Sequence, residues 1–302
     1  MKPTKLSPYR VLLLLTAGIL AALLGGCRPS GPSREKTPAP PAETIVNIGS
    51  DTMVNLTLAW AEAYMALHPE VRISVTGGGP GTGIAALING TAHIANASRA
   101  MKPEEAEAAR ANGTTPVEFT VALDAIAVVV HPSNPVNQLT LAQISAIYTG
   151  KITNWRQVGG EGRPIVLLSR ESNSGTYMYF LEHVIRLGDP KSDLLFSPET
   201  LLMPLSEGIS AEVRQNPNAI GYDGLGYVTP DQKVIAVGVD EEGSFILPSV
   251  ETVNDGSYPI SRPLYMYTAG EPQGVVRACM DWILTKGQAI VPNLGFVPLG
   301  RR

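Results

Sequence analysis

From residue 44 onward the sequence predicts an α/β fold in which parallel sheets are covered by helices. Three observations carry this. Strand-like and helix-like patterns alternate along the chain, as expected of strand-helix-strand units. Leu123 to His131 is an almost unbroken apolar, β-branched run, the pattern of a strand buried on both faces, and Leu264 to Thr268 is a second. Three turns of small residues each fall between a strand and a helix.

The elements follow in order. Residues 1–26 have the zones of a secretory signal: Lys2, Lys5 and Arg10, an apolar run from Val11 to Leu24, then small residues. That run is 14 residues long, short of the roughly 20 that a membrane-spanning helix needs. Leu24-Gly25-Gly26-Cys27 resembles the lipobox of bacterial lipoproteins, which implies lipid attachment at Cys27 and an exported protein anchored to the cell membrane, periplasmic or on the outer surface. Residues 27–43 carry five prolines and almost nothing apolar, so they cannot bury enough surface to fold and read as a tether. Thr44 to Gly49 alternates as a strand. Asp51 to His68 places Leu56, Trp60, Ala63 and Leu67 at helical spacing and is stopped by Pro69. Val71 to Thr76 reads as a strand, Gly83 to Asn89 as a short helix, and Gln273 to Lys286 as a helix near the end.

Composition narrows the function. The chain has 23 basic and 27 acidic residues, a net charge of −4; loss of the leader's three cations takes it to −7. Nucleic-acid binding is disfavoured, and any bound anion has to be held by local dipoles and a few placed cations. Cys279, with Val275 and Ile283 at i−4 and i+4, is expected to be buried as a small apolar residue. His68, His93, His131 and His183 lack metal-ligand spacing. Nucleotide-loop, hydrolase-elbow and zinc-protease motifs are missing, so no catalytic residue, metal or cofactor is expected.

The chemistry concentrates in the three turns: Gly49-Ser50-Asp51-Thr52, Gly77 to Gly83, and Ser172-Asn173-Ser174-Gly175-Thr176. In open α/β sheets ligands bind beyond the carboxyl ends of strands, where such turns lie. Each opens a helix whose first N–H groups lack partners. Ser50, Thr52, Thr82, Ser174 and Thr176 add hydroxyls, and Arg170 adds a planar fork suited to an oxyanion. Ordinary helix caps and turns would use the same residue types.

These turns, with Ile94-Ala95-Asn96-Ala97-Ser98-Arg99, Ile147 to Trp155, Arg170 to Thr176 and Ala219-Ile220-Gly221-Tyr222, resemble the phosphate-binding proteins of bacterial Pst-type ABC transporters over essentially all of residues 44–302. The resemblance implies a two-lobed type II periplasmic-binding-protein fold with two crossing hinge segments, Leu123 to His131 and the stretch near Tyr258 to Thr268. Lobe 1 would comprise 44–123 and 256–302, and lobe 2 residues 124–255. It implies capture of inorganic phosphate without catalysis, as a monomer, and delivery to a transporter permease. The implied contacts are Thr52, Met53, Ser98, Arg99, Arg170, Ser174, Gly175 and Thr176; Ser50 and Thr82 join them from their place in the same turns. Pro80 stands where the family often has serine, and Arg99 where some members have a proton-accepting aspartate. Asp51 is then the nearest acid for that role, or else a helix cap. Competing readings are sulfate, molybdate or tungstate as the ligand, or an anchored sensor or adhesion protein without a transport role.

Overall fold

The computed structural model describes residues 43–300, so the leader (1–26), Cys27 and the tether up to residue 42 lie outside the described residues. Strand β1 (Glu43–Gly49) pairs in parallel with β2 (Val71–Thr76) and β3 (Ile94–Ala97). The helices α1 (Val54–Leu67) and α2 (Pro80–Ile88) connect them. A short 3-10 turn at Asp51–Met53 precedes α1, so the helical spacing read from residue 51 begins as a tighter coil. Helix α2 starts three residues earlier than the sequence suggested, because Pro80 occupies the first turn, where its missing N–H costs nothing.

Helix α3 (Pro103–Ala111) has Pro103 at its start, Glu104 and Glu105 in the first turn and Arg110 in the last, the order that complements the helix dipole. Strand β4 (Val117–Val130) is longer than the apolar run that announced it. It is followed by β5 (Gln138–Thr140) and α4 (Leu141–Tyr148), whose Thr140 and Gln143 cap one another reciprocally. Then come β6 (Val166–Arg170), α5 (Gly175–Phe180), β7 (Leu201–Met203), α6 (Ser206–Gln215), β8 (Ala219–Gly224) and β9 (Lys233–Gly238). Helix α7 (Val250–Asn254), β10 (Ser261–Thr268) and α8 (Gly274–Ile283) follow, then two 3-10 turns (Lys286–Ala289 and Val291–Leu294) before Val297 bridges back to Leu123.

The strands join in the order β2-β1-β3-β10-β4-β8-β6-β7, with β9 beside β4 and β5 beside β9. The outer pairs are parallel, as expected. The central ones are not: β10 runs antiparallel to β3 and β4, and β4 antiparallel to β8 and β9. Residues Val117 to Ala125 of β4 pair with β10 and Ile126 to Val130 with β8 and β9, so this one long strand joins the two parallel groups. Along β4 the apolar core changes. Val121 and Ala122 pack with Trp60, Leu264 and Met280, whereas Ile126, Val128 and Val130 pack with Tyr148, Phe180 and Tyr222. Cys279 is buried in the first of these cores, where burial raises its thiol pKa to about 12.

Candidate functional site

The site forms where the ends of β1, β3 and β6 meet. Gly49 closes β1 with φ of +150°, and a Cβ there would sit 2.1 Å from the Asn96 carbonyl oxygen, so only glycine allows this approach. The Ser50 N–H then donates to that carbonyl at 2.9 Å, and the Ser50 hydroxyl donates to Ser98 Oγ at 2.8 Å. The first turn and the end of β3 are thereby tied together. Met53 is fully buried, its side chain in the core with Leu56 and Trp60.

The opposite wall comes from β6 and α5. Ser174 caps α5 by accepting the Thr176 N–H at 3.1 Å. Gly175 lies so close to the other wall that a Cβ would fall 2.2 Å from Ser98 Oγ and 2.9 Å from the Pro80 ring. Thr52 and Thr176 touch across the junction, Oγ1 to Oγ1, at 2.9 Å. The structure therefore brings Ser50, Thr52, Ser98, Ser174, Gly175 and Thr176 together.

Two buried guanidiniums flank this junction. Arg170 donates to Ser206 Oγ at 2.8 Å and to the Pro204 carbonyl at 2.9 Å, and its Nη2 lies 3.0 Å from Asp51 Oδ2. Asp51 Oδ2 also accepts the Ser206 N–H at 3.3 Å, and Tyr227 donates to the Asp51 carbonyl at 2.9 Å. Arg262 forks onto Asp124 Oδ2 with 3.2 and 2.9 Å contacts and donates to Thr176 Oγ1 at 2.7 Å. Its guanidinium carbon lies 5.5 Å from the centre of the Tyr179 ring. The structure directs two other expected residues elsewhere. The Arg99 fork is taken by Glu105 at 2.8 and 2.7 Å, and the Thr82 hydroxyl donates to the Gly78 carbonyl within its own turn.

A family model described as the PBP superfamily domain matches residues 35–286. The chain belongs to the PBP superfamily. Its relatives include the phosphate-binding protein PstS of Pseudomonas aeruginosa, 33% identical over 95% of this chain and 93% of that one. PstS of Bacillus subtilis is 29% identical over 99% and 95%. A phosphate ABC transporter substrate-binding protein from Clostridium perfringens, with bound phosphate, superposes with a TM-score of 0.75 at 33% identity, covering 85% of this chain and all of that one. These members are binding proteins, not enzymes, and the two-lobed fold is theirs.

Family membership leaves the details of this member's site to its own residues. Among the described residues seven buried side-chain atoms lack a partner, and four belong to this cluster: Arg170 Nε, Arg262 Nη1, Asp124 Oδ1 and Asp223 Oδ2. Two are donors and two are carboxylate acceptors, all withheld from water, an arrangement that costs stability unless something else satisfies it. Burial raises the pKa of Asp223 to about 7 against the opposing pull of the Arg170 charge, the nearby Ser206 hydroxyl and the Gly224 N–H. Burial likewise raises Asp124, with Arg262 opposing. No group of three or more His, Cys, Asp or Glu that could hold a metal occurs among the described residues.

Sequence reasoning missed Asp124, Asp223, Arg262 and Ser206. One signal was available for Asp124, the single charge inside the apolar run from Leu123 to Val130. Arg262 had none, since its partner lies 138 residues away and only the β4–β10 register sets them opposite each other.

Proposed function

We propose that residues 44–302 capture inorganic phosphate between two lobes, 44–123 with 256–302 and 124–255, and present it to the permease of an ABC transporter. Cys27 would hold the protein at the membrane through attached lipid. One observation carries the ligand class: buried donors on Arg170 and Arg262 and a buried acceptor on Asp223 stand unpartnered in one cluster. A ligand that satisfies both kinds has to accept hydrogen bonds and also donate one. Protonated phosphate does so, whereas sulfate only accepts. Contacts from Ser50, Thr52, Ser98, Ser174, Gly175 and Thr176 would complete the shell. The phosphate-binding relatives and the phosphate-bound neighbour support the same reading.

Closing of the lobes on the anion is the signal a permease can recognise, because only the closed form presents both rims in fixed relation. The test is calorimetry of residues 44–302 against phosphate, sulfate, molybdate and tungstate. Phosphate should bind well below the millimolar range; an absence of binding by every anion at millimolar concentration refutes the proposal. For the anchor, Cys27→Ser in the full chain should release the protein from membranes without changing phosphate affinity. Continued fractionation with membranes would refute the lipid attachment.

A further inference from the structure

Behind the wall of the junction built by β1 and β3 lie three buried polar side chains that the site described above does not use. Asn47 on β1 and Asn96 on β3 form a reciprocal amide pair: Asn47 Nδ2 donates to Asn96 Oδ1 at 3.2 Å, and Asn96 Nδ2 donates to Asn47 Oδ1 at 2.5 Å. Asn96 Nδ2 also donates to Thr57 Oγ1, near the start of α1, at 3.1 Å. All three residues are buried, and the same elements otherwise contribute Ile45, Leu56, Trp60 and Ile94 to an apolar core. Amides in such surroundings destabilise the fold unless their partners are in place, so the pairing tolerates little displacement.

We propose that Asn47 and Asn96, with Thr57, are positioning residues for oxyanion binding, fixing the spacing of the Ser50 and Ser98 hydroxyls and of the turn that carries Thr52. This rests on the oxyanion-capture reading above. The two asparagines act through those donors and not on the anion itself.

The path from the pair to the donors is short. Asn47 stands three residues before Ser50, Asn96 two before Ser98, and Thr57 five after Thr52. Strands β1 and β3 pair over only three positions, Asn47 with Ile94, Ile48 with Ala95 and Gly49 with Asn96. Apolar alternation alone would let so short a ladder slip by two residues, since the same faces would stay buried. The amide pair admits one register, the role in which buried polar side chains are best attested. In that register the Asn96 carbonyl accepts the Ser50 N–H, and the Ser50 hydroxyl reaches Ser98 Oγ. The bond from Asn96 to Thr57 ties the same register to the helix that follows Thr52, whose Oγ1 meets Thr176 across the junction. Loosening the pair therefore misaligns the donors of this wall without removing any of them.

The test is phosphate calorimetry and urea denaturation of residues 44–302 carrying Asn47→Ala, Asn96→Ala, or Asn47→Leu together with Asn96→Leu. Each alanine variant should lose stability and, in the folded protein, roughly tenfold or more in phosphate affinity, since a small misplacement of binding groups is enough for such a loss. The double leucine variant removes both ends of the pair, so most of the stability should return, whereas affinity should stay roughly tenfold or more below wild type. Ser98→Ala should weaken binding in the wild type and cost little further in the Asn96→Ala background, the non-additivity of residues that act as one unit. Should no asparagine variant fold, Thr57→Val withdraws only one acceptor of Asn96 Nδ2 and should lower affinity about threefold or more. Wild-type affinity in the folded alanine variants overturns the inference, as does recovery of affinity along with stability in the double leucine variant, or full additivity with Ser98→Ala. Unchanged affinity in Thr57→Val, where no asparagine variant folds, overturns it too. Failure of the wild type to bind phosphate overturns the capture reading instead.

Discussion

Asp51 and Arg170, 119 positions apart, form an ion pair of 3.0 Å in which both side chains are largely withdrawn from solvent. The carboxylate comes from the turn after β1 and the guanidinium from the end of β6, so the pair closes the junction from both walls. A buried pair of this kind adds little net stability, because desolvation offsets attraction. Its effect is to hold the Arg170 fork in place, with Nε left unpartnered.

Arg170→Ala should therefore weaken phosphate binding by roughly 2–5 kcal/mol through loss of a buried charge-assisted contact. Calorimetry on the folded variant measures it. A loss below threefold would restrict Arg170 to its role as partner of Asp51 and Ser206.

Asp51→Asn removes a carboxylate from the approach of a fully ionised anion. The preference for phosphate over sulfate should narrow about tenfold, roughly 1.4 kcal/mol. Paired titrations at one pH and salt concentration decide it, and an unchanged ratio would leave Asp51 only the positioning of Arg170.

The Arg262–Asp124 pair is buried at both ends. Arg262→Leu alone should cost about 3–5 kcal/mol of stability by stranding Asp124, whereas Arg262→Leu with Asp124→Leu should cost much less. Urea denaturation of the three proteins provides the comparison. Equal destabilisation by the single and double variants would show that Asp124 is not stranded by loss of its partner.

Gly175→Ala places a methyl group against Ser98 Oγ and the Pro80 ring. The serine hydroxyl can rotate away and the ring cannot. Phosphate affinity should fall at least tenfold, while the denaturation midpoint without phosphate changes little, since the clash exists only when the walls are together. Wild-type affinity would refute this account of the junction.

Asp223 also makes stability pH-dependent. Its pKa is raised from 3.8 to about 7 in the folded protein, so between those values the native state holds a proton that the unfolded chain has released. The contribution is fully present below the lower value, is lost as pH rises through the window and is gone above about 7. In phosphate-free buffer, Asp223→Asn should flatten the denaturation midpoint between pH 4 and 7 and raise it at pH 8. Parallel curves for the two proteins would mean that Asp223 titrates alike in the folded and unfolded states.

The sequence by itself determined the α/β class, the elements from β1 to α2, the strands β4 and β10, the last helix α8, and the turns that form the junction. Those features are local: apolar spacing sets α1, an unbroken apolar run sets β4, and glycine, proline and hydroxyl residues mark the turns. It also singled out Arg170, Ser50, Thr52 and Ser174 to Thr176, because they stand in those turns. Tertiary structure alone decided which charges share the cluster. Arg99, adjacent to Ser98 in sequence, turns to Glu105, whereas Arg262 and Asp223, far from every marked turn, arrive beside Thr176 and Arg170. The physical reason is that strand register and burial operate between residues far apart in sequence: Arg262 lies 86 positions from Thr176, and Asp223 lies 53 from Arg170. A carboxylate's charge state and partners follow from what is packed against it, which no local pattern encodes.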